Sequence, residues 1–330
     1  MNSFFKIGGT ARLLGTLTAA MILAACPQAF ADIAYPDRPV RVVVPYPAGG
    51  NTDIIAREVA KRLSVKLGQN FIIDNKPGAN SIIGTEAVAK AAPDGYTLLV
   101  AIGAYANNFA LYKKLPYARS DLAPVSQLTN TSLVLVTGRP GITNVKQLVT
   151  SGQDKNAPLT FASSGVGSAA HLLGERFSRS SGMTSTQHVA YKGSAEAVSD
   201  LLAGRVGYMF DAVSAMGAHI KSGRLTALAV TGGSRSPLLP EAPSVREAGY
   251  PEMVAYAWSG LLAPAKTPKA IVDKLALTIS EVLKDPELVA KLASISTDPV
   301  GSSPADFEKF LISESDVNGK VIKALNISLD

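Results

Sequence analysis

The sequence predicts an α/β protein of two lobes, each built on a mixed, mostly parallel sheet. Three observations predict it. Short β-rich runs alternate with stretches of helical spacing, which implies parallel pairing through right-handed crossovers. The alternation stops and then restarts. No flexible, low-complexity tether separates the two blocks, so short crossing segments must join them.

The elements follow in order. Residues 40–44 (VRVVV) read as a strand. Residues 51–67 place Ile54, Ile55, Val59, Leu63 and Leu67 at helical intervals. A strand at 71–74, a helix at 82–91 and a strand at 96–101 complete the first block. The second block has strands at 132–137, 159–162, 187–190, 206–210 and 225–231. Between them lie helices at 145–150, 168–180, 194–202 and 213–221. A short strand at 259–263 precedes amphipathic helices at 268–283, 286–293 and 304–322, with Pro268, Pro286 and Pro304 at their starts. The crossings between lobes are expected near 125–133 and 229–235. Residues 32–130 then form the first part of lobe one and 131–232 form lobe two. Residues 233–330 return to lobe one with the C-terminal helices.

Residues 1–31 are read separately. Lys6 and Arg12 give a positive start, 13–25 is uncharged and apolar, and Ala29-Phe30-Ala31 is an A-x-A cleavage site. This is the layout of a secretory signal peptide. Leu23-Ala24-Ala25-Cys26 also resembles a lipoprotein box, but Pro27 follows the cysteine and the A-x-A site lies just beyond. Either route takes the chain out of the cytoplasm, to a periplasmic location. Cys26 is the single cysteine, so a chain starting at Asp32 holds no disulfide, thiolate metal site or cysteine nucleophile. Apolar residues make up 47% of the sequence, enough for two cores. The net charge of +6 is scattered, with no basic run, which disfavours nucleic acid.

Ligands of open α/β sheets sit at the carboxyl ends of strands, so the loops there carry the function. Three of them combine glycine with Asn, Thr or Ser at a helix start: 45–53 (PYPAGGNTD), 163–168 (SSGVGS) and 191–194 (YKGS). Unpaired amides and the positive end of the helix dipole make such a start an anion site. Any one such loop is equally a capping loop; the signal is the threefold recurrence. Catalytic patterns are missing. His171, His188 and His219 lack metal-binding spacing, so no metal is expected. Ser164 sits outside the G-x-S-x-G elbow. Gly165-x-Gly167-x-x-Ala170 matches a loose dinucleotide pattern, but 187–192 supplies no acid for a ribose, so no cofactor is expected. His171 either faces the cleft or is a satisfied buried histidine. Asp211, at a strand end, either meets a ligand or caps the following helix. Trp258, the sole tryptophan, defaults to core packing.

Several stretches together carry a family resemblance over nearly the whole exported chain. They are PYPAGGNTD, DNKPGANSIIGTEAVAKAAPDGYTLL, FASSGVGSAAH, HVAYKGSAEAVSDLLAGRV, LTALAVTGGSRSPLLPEAPSVREAGY and WSGLLAPAKTPKAIV. They resemble the Bug family, the extracytoplasmic receptors of tripartite tricarboxylate transporters. The resemblance implies a type II periplasmic-binding-protein fold that closes like a Venus flytrap, with no enzymatic activity. It implies a small carboxylate ligand (a dicarboxylate, amino acid or aromatic acid), membrane transporter subunits as partners, and a monomer. Carried over residue by residue, it assigns the carboxylate to Tyr46, Ala48, Gly49, Asn51, Thr52 and Asp53. Specificity would then fall to Ser163, Ser164, Gly165, Val166, Gly167, Ser168, His171, Tyr191 and Lys192, with Asp211 added from its own position. The chain departs from the family pattern at Asn108-Phe109, at Ala157-Pro158 and at Tyr46. The alternatives are an exported hydrolase using Ser164 or Asp53 with His171, and a ligand sensor for a signalling kinase.

Overall fold

The computed structural model describes residues 1–3, 35–183 and 185–329; the expected signal peptide therefore lies, beyond its first three residues, outside the described residues. All elements below belong to one unit, Pro36–Asp330.

The first block forms as its periodicity implies. Strand β1 (Val40–Val44) leads through helix α1 (Asn51–Leu67) to β2 (Phe71–Asn75), then through α2 (Ile82–Ala89) to β3 (Thr97–Ile102). Both β2 and β3 pair with β1 in parallel. Helix α3 (Gly103–Leu111) starts directly after β3 and has no counterpart in the expected elements.

Strand β4 (Leu122–Thr137) runs for 16 residues. It runs through the stretch 125–133 where a crossing is expected, so that link is itself strand. Pro124 and the polar run from Ser126 to Thr131 mask it in the sequence. The structure satisfies those polar groups in pairs. Ser126 Oγ donates to Ser302 O at 2.8 Å, and the hydroxyls of Thr129 and Ser259 lie 2.6 Å apart. The hydroxyls of Thr131 and Thr297 are 2.9 Å apart. Register shifts at Pro124/Ser126 and Gln127/Thr129 absorb the proline.

Beyond β4 come α4 (Val145–Gly152), β5 (Thr160–Ser163), α5 (Ala169–Ser180), β6 (Gln187–Ala190), α6 (Ser194–Leu202), β7 (Tyr208–Ala212), α7 (Val213–Lys221) and β8 (Thr226–Val230). The chain then returns along β9 (Tyr256–Pro264) to α8 (Lys269–Val282), α9 (Pro286–Ala293), β10 (Thr297–Pro299) and α10 (Pro304–Ala324). The sheet order is β2-β1-β3-β9-β4-β7-β5-β6, with β8 and β10 also on β4. Parallel ladders form the outer part of each half, and β9 and β4 join them antiparallel at the centre.

Both faces of the second half are buried. Leu133, Leu135, Phe161, Tyr208 and Phe210 pack on one side. Val134, Val136, Ala162 and Met209 pack on the other. Period-two alternation with both sets apolar explains the unbroken hydrophobic runs. In the first half, α10 presses Phe307 onto β9. A Cβ on Gly260 would stand 2.1 Å from the Phe307 ring. We expect Gly260→Ala to lower stability by about 1–3 kcal/mol through overpacking, read as a lower urea midpoint; an unchanged midpoint would refute this contact.

Candidate functional site

A cavity of about 320 Å³ lies where strand ends of both halves feed helices. The β1–α1 loop reaches it through Tyr46, Asn51 and Thr52, and the β3–α3 junction through Ile102, Gly103 and Ala104. The β5–α5 loop contributes Ser164, Gly165, Val166 and Ser168, and the β7–α7 junction Asp211 and Ala212. The first amides of a helix have no acceptor within it. The starts of α1, α3 and α5 therefore present free donors and positive dipole ends to one space.

On the first side Asp53 shapes the loop from behind. Its Oδ2 accepts from the Gly49 N–H and from Arg57 Nε, each at 2.9 Å. Its Oδ1 accepts from Asn75 Nδ2 at 2.9 Å, and the same Nδ2 donates to Tyr46 O at 3.0 Å. Asp53 is 3% exposed and stays outside the cavity wall. Burial alone would raise its pKa. The hydrogen bonds from Arg57, Gly49 and Asn75 outweigh that and hold it below the usual carboxylate range. The N-cap of α1 is Gly50, with no side-chain bond, so the first-turn amides stay open. Ala48 and Gly49 are exposed and lie beyond the wall.

On the second side two histidines do the equivalent work. The Gly167 N–H donates to His171 Nδ1 at 3.0 Å, which places the proton of a neutral ring on Nε2. His171 stacks on His188 with ring centroids 3.8 Å apart. Ser163 Oγ lies 2.7 Å from His188 Nε2 and also donates to Gly165 O. Burial, with His188 beside it, pushes His171 down to about 3; burial pushes His188 down to about 4. His171 is thus a satisfied buried histidine behind the wall. Ser163 and Gly167 likewise stand behind it as supports. A serine beside a histidine is part of a hydrolase's nucleophile–base pair, but the Ser163 hydroxyl proton goes to Gly165 O, Ser163 is fully buried, and no carboxylate bonds to His188 among the described residues.

Tyr191 and Lys192 also fall outside the wall. Tyr191 OH donates to Asp200 at 2.7 Å, and its carbonyl backs Gly165. The third convergent helix start is α3, not α6. The physical reason is the sheet order: β6 is an edge strand, so its carboxyl end opens to the side. Asp211 does line the cavity. It does not cap α7, whose N-cap is Ala212 without a side-chain bond. Its Oδ1 accepts the Ala212 N–H at 2.7 Å, and burial raises its pKa against the lowering effect of the Ser194 hydroxyl and that N–H.

Several wall residues escaped the sequence reading: Asn80, Asn107, Arg176, Trp258, Glu314 and Asn318. Trp258 is buried as expected, yet its indole N–H donates to Glu314 Oε2 at 3.1 Å at the cavity. Burial raises the pKa of Glu314 and lowers that of Arg176. A signal for two of these residues was present. Phe307, Leu311, Glu314, Asn318 and Ile322 follow helical spacing, so two polar residues interrupt an apolar stripe.

The histidine pair generates a pH prediction. Both folded pKa values lie below the unfolded value of about 6.5. Their stability contribution is therefore complete above about pH 6.5 and lost as pH falls towards 4. The imidazole NMR signals of His171 and His188 should stay unprotonated from about pH 7.5 to about 5, while the melting temperature declines below about pH 6.5. Titration of either ring near its ordinary value would refute the buried neutral pair.

Against known proteins, residues 55–327 match the family model described as tripartite tricarboxylate transporter family receptor. Protein BugT of Bordetella pertussis is 36% identical over 307 residues, covering 92% of this chain and 94% of that protein. The periplasmic binding protein BugD is 32% identical with a TM-score of 0.77, over 89% of this chain and 99% of that one. A Rhodopseudomonas palustris protein solved with adipate is 34% identical with a TM-score of 0.80, over 89% of this chain and all of the other. A second protein from that organism, solved with malate, is 30% identical with a TM-score of 0.75, over 87% of this chain and all of the other. No described helix is long and apolar enough to cross a membrane. With its two-lobed α/β fold, this chain belongs to the Bug, or tripartite tricarboxylate transporter, family of solute-binding receptors.

Proposed function

We propose that the protein is a periplasmic receptor that captures a small carboxylate in this cavity and delivers it to a tripartite tricarboxylate-type membrane transporter. The observation that carries the reading is the convergence of three helix starts, α1, α3 and α5, on one cavity between the halves. Main-chain donors there favour a carboxylate without requiring a dedicated arginine. A volume of about 320 Å³ suits a small metabolite such as a short dicarboxylate, an amino acid or an aromatic acid.

In this reading Tyr46, Asn51, Thr52, Ser164, Gly165, Val166, Ser168 and Asp211 meet the ligand. Asp53, Ser163, Gly167 and His171 hold the loops in place, with Ala48, Gly49, Tyr191 and Lys192 around them. Residues 1–31 export the chain. The lobes divide near 130/131 and 232/233, the receptor acts as a monomer, and no chemistry is performed on the ligand. The relatives solved with adipate and malate supply the first two probes.

The test is thermal shift on protein stripped of co-purified ligand, with adipate, malate and a panel of small mono- and dicarboxylates. A binder at about 100 times its Kd stabilises by about 2.7 kcal/mol. For a protein of this size that is a rise on the order of 5 °C. No rise with any carboxylate would overturn the reading.

A further inference from the structure

Asn107 belongs to α3, in the first half of the molecule, and is 2% exposed. Its Nδ2 donates to Gly167 O, in the β5–α5 loop of the other half, at 2.9 Å. Its Oδ1 accepts from Asn318 Nδ2 of α10 at 3.0 Å. Asn318 Nδ2 also points to Glu314 Oε2 at 3.4 Å.

The direction of this chain of amides is forced. A main-chain carbonyl only accepts, so the nitrogen of Asn107 must face Gly167. That leaves Oδ1 for Asn318, which must then donate. The other side of Gly167 is already taken, because its N–H donates to His171 Nδ1 within its own half. One residue of the loop is thus held by its own lobe through the nitrogen and by the opposite lobe through the carbonyl.

The surroundings are equally close. Gly167 has a φ of +79°, and a Cβ there would stand 2.3 Å from Leu111 Cδ1. Leu111 of α3, Leu172 of α5 and Ile322 of α10 form a small apolar cluster of their own. The Leu329 N–H donates to Leu111 O at 3.0 Å and ties the C-terminal tail to the same place. Polar and apolar contacts between the halves therefore meet around Asn107.

We propose that Asn107 is a positioning residue: it latches the β5–α5 loop to α3 and sets how far the cavity opens before ligand arrives. The idea rests on the two-lobed receptor reading, but its test needs no ligand. Asn107→Asp is nearly isosteric. When ionised it keeps the acceptor for Asn318 and turns an acceptor towards the Gly167 carbonyl, where repulsion replaces the bond. Asn107→Ala removes both contacts.

Small-angle scattering and hydrogen exchange of residues 164–172 are compared in ligand-free wild type and both variants. Loss of one buried hydrogen bond raises the open population about tenfold. Exchange in that segment should accelerate by about the same factor, and the radius of gyration should grow. With its carboxylate ionised, Asn107→Asp should behave like Asn107→Ala; protonated, it can donate to the Gly167 carbonyl and keep the latch. If Asn107→Ala matches wild type in both readouts, Asn107 merely fills space and the proposal fails. Where circular dichroism shows either variant misfolded, Asn107→Leu takes its place, since it is close in size and removes both polar groups. The same loosening supports the latch, and unchanged exchange overturns it. Failure of every carboxylate to bind, with these differences intact, would sink the receptor reading and leave the latch standing.

Discussion

Unpaired main-chain amides at the first turn of a helix are a fixed cost of making helices. In this protein that cost is concentrated in one place. Helices α1, α3 and α5 all start at the wall of a single cavity. The starts differ in how much of the demand is met internally. The side chain of Ser168 accepts from His171 N at α5, whereas Gly50 gives α1 no side-chain cap and Ile102 gives α3 none. The least satisfied starts belong to the first half, where an anion would gain most.

Such a site works only if its loops hold still, and the two sides achieve this differently. The β1–α1 loop is tied by a charged group. Asp53, Arg57 and Asn75 form a closed set of bonds that also fixes Gly49 and the Tyr46 carbonyl. The β5–α5 loop is tied by neutral aromatic groups, the stacked His171 and His188 over Phe161. A charged imidazole there would surrender the Nδ1 acceptor that Gly167 needs. Burial keeps both rings neutral, so loop geometry and protonation state depend on the same packing.

The parts of this arrangement with local periodicity were legible in the sequence. Helices α1 and α6 begin and end where their apolar spacing places them, and the loops at 45–53 and 163–168 reach the cavity. Position in the sheet was not legible. The 191–194 loop has the same composition as the other two, but it follows an edge strand and does not line the cavity. Helix α3 was missed because Gly103 to Leu111 has neither a capping side chain nor a clear apolar stripe, and its packing against α10 holds it. Strand β4 was half missed because its buried threonines and serines read as loop until their cross-strand partners are known. Likewise Asn107 is unremarkable locally. Its meaning depends on a partner 60 residues away.

Trp258 offers a direct measurement, because it is the sole tryptophan and stands in the cavity wall. Its fluorescence is titrated with a series of small carboxylic acids, each paired with its methyl ester. If helix-start amides grip a negative charge, at least one acid gives a saturable change and its ester gives none. Equal responses from an acid and its ester would show that charge is not what the cavity recognises.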